Sequence, residues 1–232
     1  MIRQYKDITY LLARNDRKTA SIYIERDGQV SVLVPQRLSD AQVEALIESK
    51  RFWIYSGLAE WRDLNAAKVQ RAFVNGEGFL YLGRSYRLRL VEDQVQPLLL
   101  KNGYFCLHRN GKPTTDDSFT DAFKEFYRQR GMERIPQRVA FYEGKLGVAA
   151  KDVKVIDLQN RWASCTSKGR LNFHWKCMMS LPTILDYIVV HELAHIRYPN
   201  HTRAFWNEVD KILPDYRTRK EWLRANGAGM DL

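Results

Sequence analysis

Three histidines and a glutamate lie close together near the C-terminal end of the chain. The stretch VVHELAHIRYPNHTRAFW runs from Val189 to Trp206 and contains His191, Glu192, His195 and His201. On an α-helix, His195 lies about 40° around the axis from His191, and Glu192 lies about 100° from it. Two imidazoles at this spacing can bind one metal ion, and the glutamate then stands beside the ion. The pattern therefore predicts a metal centre.

A third ligand is expected from beyond the helix. Catalytic zinc takes three protein ligands and leaves one position open for water, whereas a Cys₄ set would indicate a structural site. Pro199 ends the helix, and His201 follows His195 by six residues. This is the ligand spacing of metzincin proteases, although Tyr198 stands where those have a glycine. Glu208 is the alternative third ligand. With three histidines we expect one Zn²⁺ per chain.

The helix that carries His191 and His195 is predicted to be buried. Pro182 and Pro199 mark its start and its end, and the body of PTILDYIVVHELAHIRY is apolar on nearly every face. The alternative is that the histidines only hydrogen-bond inside a core. Burying so many imidazoles without a metal would cost free energy, which favours the metal site.

Other elements are predicted between the middle of the chain and this helix. An apolar stripe that starts at Phe119 predicts a helix ending near Gly131, and a second helix is predicted from about Pro136 to Leu146. The segments DVKVIDL and GRLNFHWKCMM have the pattern of strands, and the loop QNRWASCTSK lies between them.

Turn-forming pairs predict β-hairpins in the first half. They lie between β-rich segments, at Asp27-Gly28, Asn75-Gly76 and Asn102-Gly103. A helix is predicted between the first two hairpins, where Ser39 and Gln42 form a capping box ahead of apolar residues at helical spacing. No internal repeat is visible in the sequence.

The predicted fold class is α+β with two parts. The turn-rich segment RNGKPTTDDS, at Arg109–Ser118, is the expected boundary. Residues 1–112 are then a β-hairpin-rich N-terminal module, and residues 113–232 hold the metal-binding domain.

The composition indicates a folded protein without a membrane span. The chain has 232 residues, 45% of them hydrophobic, and a net charge of +10. Its N-terminal residues lack the apolar core of a signal peptide, and no apolar run reaches the length of a transmembrane helix. Three cysteines without CxxC spacing are expected to be reduced thiols of a cytoplasmic protein. Because the positive charge is spread, any nucleic-acid binding is expected to be weak and non-specific.

The sequence resembles the YgjP-like metallopeptidases, relatives of the SprT-type zincins. The resemblance rests on R-W-x-S-C, L-N-F-x-W, V-V-H-E-L-A-H, and H-x-x-x-F-W followed by P-D-Y and W-L. It extends to DGQVSVLVPQRLSDAQVEALIESKRFWI and GEGFLYLGRSYRLRLVE in the first half. The chain departs from the family pattern at Ala163, where glycine is usual, and at His174, where asparagine is usual.

The resemblance implies a zincin-like catalytic domain, in which a small sheet packs on the HExxH helix. It also implies zinc ligation by His191, His195 and His201, with Glu192 catalytic. The expected activity is hydrolysis of a protein or peptide substrate by a zinc-activated water, with Glu192 as the general base. The alternative is a nucleic-acid-associated protein. This would be either a SprT-like protease acting on DNA-bound proteins or a binding module with structural zinc.

Three further residues are weighed for roles near the site. His174 lies on a predicted strand and either contacts a substrate that pairs with this strand or is an ordinary exposed histidine. Arg161 either stabilises an oxyanion or, together with Trp162, anchors the loop that holds both residues.

Overall fold

The computed structural model describes residues 1–24, 28–65, 71–109, 116–158 and 161–232. The chain divides into a first unit, Met1–Lys68, and a second unit, Val69–Leu232. Both units combine small sheets with helices, so the fold is mixed α+β, as predicted. Among the described residues, no helix combines the length and apolar character needed to cross a bilayer.

The first unit pairs a four-stranded sheet with two helices. Its elements are β1 (Ile2–Tyr5), β2 (Ile8–Asn15), β3 (Ser21–Ile24), β4 (Val30–Pro35), α1 (Asp40–Ser49) and α2 (Arg51–Asn65). The strand order is β1-β2-β4-β3, with β2 and β4 parallel and both outer pairs antiparallel. Ile8, Tyr10 and Leu12 of β2 alternate with more exposed residues, the pattern of a sheet covered on one face. The predicted Asp27-Gly28 turn falls between β3 and β4, and Asp27 lies outside the described residues.

The predicted capping box begins α1. Ser39 Oγ accepts from the Gln42 backbone N–H at 3.3 Å, and Gln42 Oε1 accepts from the Ser39 N–H at 2.9 Å. The single predicted helix is wrong in its extent, because the chain forms two helices that meet at Lys50. Ile54 of α2 is fully buried, whereas Trp53 beside it is 50% exposed.

A second four-stranded sheet begins the second unit. Its strands are β5 (Gly78–Tyr81), β6 (Arg84–Val91), β7 (Leu98–Lys101) and β8 (Tyr104–His108). Their order, β5-β6-β8-β7, and their parallel and antiparallel pairs repeat the topology of the first sheet. The structure thus repeats a motif that is invisible in the sequence. The same strand pairing requires only alternating buried and exposed residues and tight turns between strands. Many different sequences meet these two requirements, so the two sheets need not resemble each other in sequence.

The turns of the second sheet confirm one predicted hairpin and relocate another. Asn102-Gly103 joins β7 to β8, with φ angles of 52° and 80°. Asn75-Gly76 instead forms a turn ahead of β5, and the hairpin between β5 and β6 turns at Leu82-Gly83. A Cβ on Gly83 would come within 2.4 Å of the Leu181 side chain, so only glycine fits this close approach.

One long helix, α3 (Asp116–Leu146), replaces the two helices that were predicted. It runs through both Gly131 and Pro136. A Cβ on Gly131 would come within 3.0 Å of a Val155 methyl group, so the glycine serves a close approach instead of ending the helix. Ile135, next to the proline, is fully buried. Burial on both sides of Pro136 outweighs the backbone hydrogen bond that the proline removes.

A three-stranded sheet and three helices complete the second unit. They are β9 (Asp152–Ile156), β10 (Ala163–Cys165), β11 (Arg170–His174), α4 (Pro182–Arg197), α5 (Arg203–Ile212) and α6 (Tyr216–Asn226). Strand β11 is central, antiparallel to β10 and parallel to β9. Both predicted strands are present, and β10 lies inside the predicted loop. A short 3₁₀ helix at Trp175–Met179 joins β11 to the segment before α4.

One hydrophobic core joins the second sheet to α3 and α4. Phe79 and Phe105 are fully buried, and their ring centroids lie 4.2 and 5.2 Å from that of Phe123 on α3. The same cluster includes the buried aliphatic residues of α4. The two compact units divide after Lys68, and residues of β5–β8 share a core with α4. Most of the predicted boundary segment, Arg109–Ser118, lies outside the described residues.

Candidate metal centre

Helix α4 holds His191 and His195 on one arc, at the positions predicted from their spacing. Pro182 occupies the first turn, where its missing N–H costs nothing, and the helix ends ahead of Pro199. Most of its other faces are buried, at Ile184, Leu185, Tyr187, Ile188, Val189, Val190, Leu193 and Ala194. Both histidines keep partial exposure, which leaves one open side to the site.

A tight turn brings His201 back to the same arc. The turn ends at Thr202, whose hydroxyl caps α5 by accepting from the Phe205 N–H at 3.4 Å. The fully buried Phe205 ring lies 4.6 to 5.0 Å, centroid to centroid, from all three imidazoles. One buried aromatic side chain thus packs against all three histidines.

The three imidazoles converge through their Nε2 atoms. His191 Nε2 lies 3.2 Å from His195 Nε2 and 2.9 Å from His201 Nε2. One ligand atom from each residue lies within 4.8 Å of the others. The second ring nitrogen of His195, Nδ1, lies 3.1 Å from the Tyr198 carbonyl oxygen. If Nδ1–H donates to this carbonyl, the Nε2 lone pair is left facing the cluster, as metal-bound histidines require.

The electrostatics of the cluster fit a bound cation. Burial and the neighbouring imidazoles lower the pKa of His191 to about 3, and burial lowers the pKa values of His195 and His201. Three neutral imidazoles can each direct an Nε2 lone pair to one point, and a positive charge at that point would stabilise this arrangement. The donor set of three nitrogens suits zinc and related transition metals, whereas calcium and magnesium prefer oxygen.

Glu192 is buried beside the histidines, with 6% of its surface exposed. Burial raises the pKa of its carboxyl to about 8, while Arg161 and the Cys165 backbone N–H act in the opposite direction. Cys165 is part of β10, so the glutamate is oriented by a strand that was not predicted from the sequence. A carboxyl group whose pKa is raised by burial is suited to proton transfer near neutral pH.

Glu208, the alternative third ligand, is engaged elsewhere. Its carboxylate accepts from Arg197 at 3.0 Å and from Lys211 at 3.1 Å, and the residue is 9% exposed. Arg197 also donates to the Leu146 carbonyl oxygen at 3.0 Å. Glu208 therefore ties the end of α4 to α5, and the mutually close ligand atoms belong to the three histidines.

His174 is neither exposed nor placed to receive a substrate strand. It is 5% exposed, its Nδ1 accepts from the Lys176 N–H at 3.1 Å, and its Nε2 lies 3.3 Å from Asp157 Oδ1. Both sides of β11 are already paired, so this strand cannot take another partner. The edge strands of this sheet are β9 and β10, and β10 lies beside Glu192. The prediction for His174 was wrong because the extra strand could not be seen in the sequence.

The segment of Arg161 and Trp162 lies at the site. The Trp162 carbonyl oxygen accepts from the His174 N–H at 2.7 Å and from Cys177 Sγ at 3.2 Å, which anchors the segment as one of the two alternatives expected. Arg161 is exposed, and its positive charge lowers the pKa of Glu192. The oxyanion role of Arg161 stays a prediction.

Three further contacts around the site were not expected from the sequence. Arg138 on α3 donates to both carboxylate oxygens of Asp186 on α4, at 2.7 and 2.9 Å. Trp206 on α5 stacks on His201, and Lys220 on α6 lies over the Trp206 ring. Their separations of 48, 5 and 14 residues carry no periodic signal, so only the packed helices reveal them.

Comparison with known proteins identifies a metallopeptidase family. The family described as YgjP-like, metallopeptidase domain, matches residues 18–226. Among solved structures, the chain is similar to the crystal structure of the metallopeptidase zymogen of Pyrococcus abyssi abylysin. That similarity has 20% identity and a TM-score of 0.39, and it covers 42% of this chain and 99% of the other. No curated protein matches the sequence.

Proposed function

The chain belongs to the YgjP-like metallopeptidase domain family, and we propose that it is a zinc-dependent peptidase acting on proteins or peptides. His191, His195 and His201 would hold one zinc ion per chain. The observation that carries this proposal is the convergence of three neutral imidazoles on one point beside a buried carboxyl group. A zincin-like arrangement follows, in which α4 is the HExxH helix and β9–β11 is the small sheet associated with it.

When bound, zinc supplies a Lewis acid that lowers the pKa of water toward neutrality and polarises a scissile carbonyl. Glu192 is the general base, accepting a proton at its carboxylate and passing it to the leaving amine. Its burial keeps competing water away from the carboxyl group, and the Cys165 N–H restricts its orientation.

The open edge of β10 provides a place for an extended substrate. Cys165 and Ser164 on this strand are partly exposed, and Cys165 contacts Glu192 through its backbone. A peptide that adds to this edge would present its backbone next to the glutamate, as in other cases of strand addition. Orientation would then come from main-chain hydrogen bonds, which are independent of the substrate sequence.

Substitution of Glu192 tests the proposed chemistry. Glu192→Gln keeps the size of the side chain and removes the base, so hydrolysis should fall by about 10²–10⁴-fold. Elemental analysis should find zinc at nearly the wild-type level. If zinc is lost as in His191→Ala, the glutamate is holding the metal or its ligands. If the wild type cleaves no member of a peptide library, the peptidase proposal fails.

A second pair of variants tests the ligand set. His201→Ala should lower zinc affinity far more than Glu208→Ala, since Glu208 is already paired with Arg197 and Lys211. A competition titration against a chromogenic chelator measures both affinities. Weaker zinc binding in Glu208→Ala alone would mean that the third ligand is the carboxylate.

A further inference from the structure

Lys220 on α6 lies beside the histidine cluster. Its Nζ stands 4.7 Å from the centre of the Trp206 ring. Trp206 stacks on His201, with centroids 5.5 Å apart and planes 22° apart, and on Tyr216 at 5.2 Å and 16°. Trp206 therefore contacts both Lys220 and His201, which places the lysine at the edge of the histidine cluster. Lys220 itself is exposed.

A second cation approaches from another part of the fold. Arg161, in the segment ahead of β10, is exposed, and its positive charge lowers the pKa of Glu192. The charge of Lys220 lowers the pKa values of His191 and His201. Both side chains carry a positive charge. Within the described part of the chain, the group of mutually close ligand atoms includes no carboxylate.

Positive charge at this place does not help to bind a metal. A lysine near a dication raises the electrostatic energy of the metal-bound state. It is not required to support Trp206 either, since that ring already packs on His201 and Tyr216. An anionic group on a bound substrate would remove this cost, because it would interact favourably with both cations and with the metal.

We propose that Lys220 determines specificity by binding a carboxylate of the substrate, so that the enzyme prefers peptides with this group near the scissile bond. The carboxylate is either an acidic side chain or a free C-terminus. Arg161 adds positive charge on the Glu192 side of the same site. This inference rests on the proposed peptidase function and goes on to state the substrate class.

A charge series of peptides tests the inference. A neutral peptide that the wild type cleaves is first identified and is then made with Glu, Gln or Lys next to the cleaved bond. We expect kcat/KM to be about tenfold higher for the Glu peptide than for the Lys peptide at low salt. The preference should weaken as salt increases, because the charges are exposed. In Lys220→Glu the order of the Glu and Lys peptides should reverse.

Matched variants separate a local effect from a general one. Lys145 is also an exposed lysine stacked on an aromatic ring, with its Nζ 4.2 Å from the centre of Phe141, but it lies on α3. Lys145→Gln should keep the wild-type peptide preference, whereas Lys220→Gln should reduce it and Lys220→Arg should retain it. Zinc content is measured for every variant, so that loss of metal is recognised.

Two further measurements complete the test. Peptides with an amidated or a free C-terminus identify which carboxylate Lys220 binds. Fluorescence anisotropy of a labelled Glu peptide, with zinc-loaded Glu192→Gln as the receptor, measures binding without turnover. Adding Lys220→Glu to this receptor should weaken binding by about tenfold.

The possible outcomes distinguish this inference from the proposed function. If the wild type cleaves the neutral peptide and cleaves the Glu, Gln and Lys peptides with equal kcat/KM, the specificity role of Lys220 is wrong and the peptidase function stands. The same conclusion follows if Lys145→Gln changes the preference as much as Lys220→Gln. If the wild type cleaves nothing, both proposals are overturned.

Discussion

The first and second sheets share strand order, strand pairing and nearly the same strand lengths, yet they support different structures. Their strands have 4, 8, 4 and 6 residues in the first unit and 4, 8, 4 and 5 in the second. The first sheet packs on two short helices and closes a small core of its own. The second sheet contributes to the large core that also holds α3 and α4. One strand topology can therefore serve as an independent unit or as the support of a metal centre.

The turn between the first two strands explains part of this difference. In the second sheet, the Leu82 N–H donates to the Met178 carbonyl oxygen at 2.8 Å, and the Gly83 N–H donates to that of Met179 at 3.1 Å. Both acceptors lie just ahead of α4. The corresponding turn of the first sheet contains Lys6 and Asp7, which pair with Glu48 and Tyr55 of α1 and α2. A hairpin turn thus links each sheet to its own helices.

Metal removal should have the largest effect, and it should act on the second unit alone. With free zinc a thousandfold above its Kd, bound zinc would stabilise the folded state by about 4 kcal/mol. Backbone amides within residues 69–232 should therefore lose protection against hydrogen exchange when a chelator is added. Equal loss within residues 1–68 would contradict the independence of the two units. His191→Ala should reproduce the chelated state.

Leucines at equivalent positions offer a matched test of the two cores. Leu12 and Leu88 are each the fifth residue of an eight-residue strand, and they are 7% and 2% exposed. Either change to alanine should cost about 2–5 kcal/mol in its own unit. Only Leu88→Ala should also weaken zinc binding and activity, because Leu88 shares a core with α4. Reduced zinc affinity in Leu12→Ala would contradict this separation.

The response to pH should also differ, since all five histidines lie in the second unit. Burial lowers the pKa of His174 from its ordinary value of 6.5 to about 4. Between these values the unfolded chain binds more protons, so stability falls as pH falls from 6.5 to 4 and is unaffected by this group below 4. His174→Asn should remove about 1–3 kcal/mol of this dependence. Denaturant unfolding of both metal-free proteins at pH 7 and pH 4 measures the difference. An unchanged dependence would contradict the assignment to His174.

The smallest expected effect concerns the outer faces of the two sheets. Arg87 and Arg89 of β6 occupy the positions of Leu11 and Ala13 in β2, and Arg89 lies 4.1 Å from the centre of the Tyr104 ring. We expect weak, non-specific duplex DNA binding that decreases steeply with salt. Changing both arginines to glutamine should lower the slope of log K against log salt by about 2.

Surface cations of the first unit provide the control for this experiment. Arg37 and Lys50 are exposed, and changing both to glutamine should leave the slope nearly unchanged. Fluorescence titration at low and at physiological salt measures both pairs. Tight binding at physiological salt would favour the alternative of a nucleic-acid-associated protease.

Local patterns in the sequence were sufficient for much of the fold near the histidines. The prolines at 182 and 199, the apolar body of α4 and the HExxH spacing act over a few residues, and α4 has the predicted bounds. The Ser39 capping box and the Asn102-Gly103 turn are equally local. These features depend on backbone geometry and side-chain period, which a single sequence contains.

Long-range packing decided the rest, and it did so against local signals. Gly131 and Pro136 indicate the end of a helix, yet burial against β9 and the rest of the core keeps α3 continuous. The division of the chain into two compact units at Lys68 also depends on long-range packing, because the second sheet shares the core of α3 and α4. Neighbours of Glu192 and His201, such as Cys165 and Lys220, approach from separate elements. The histidine motif could thus be recognised from the sequence alone. The charged groups, the burial and the aromatic rings around the histidines arise only when distant segments of the chain pack together.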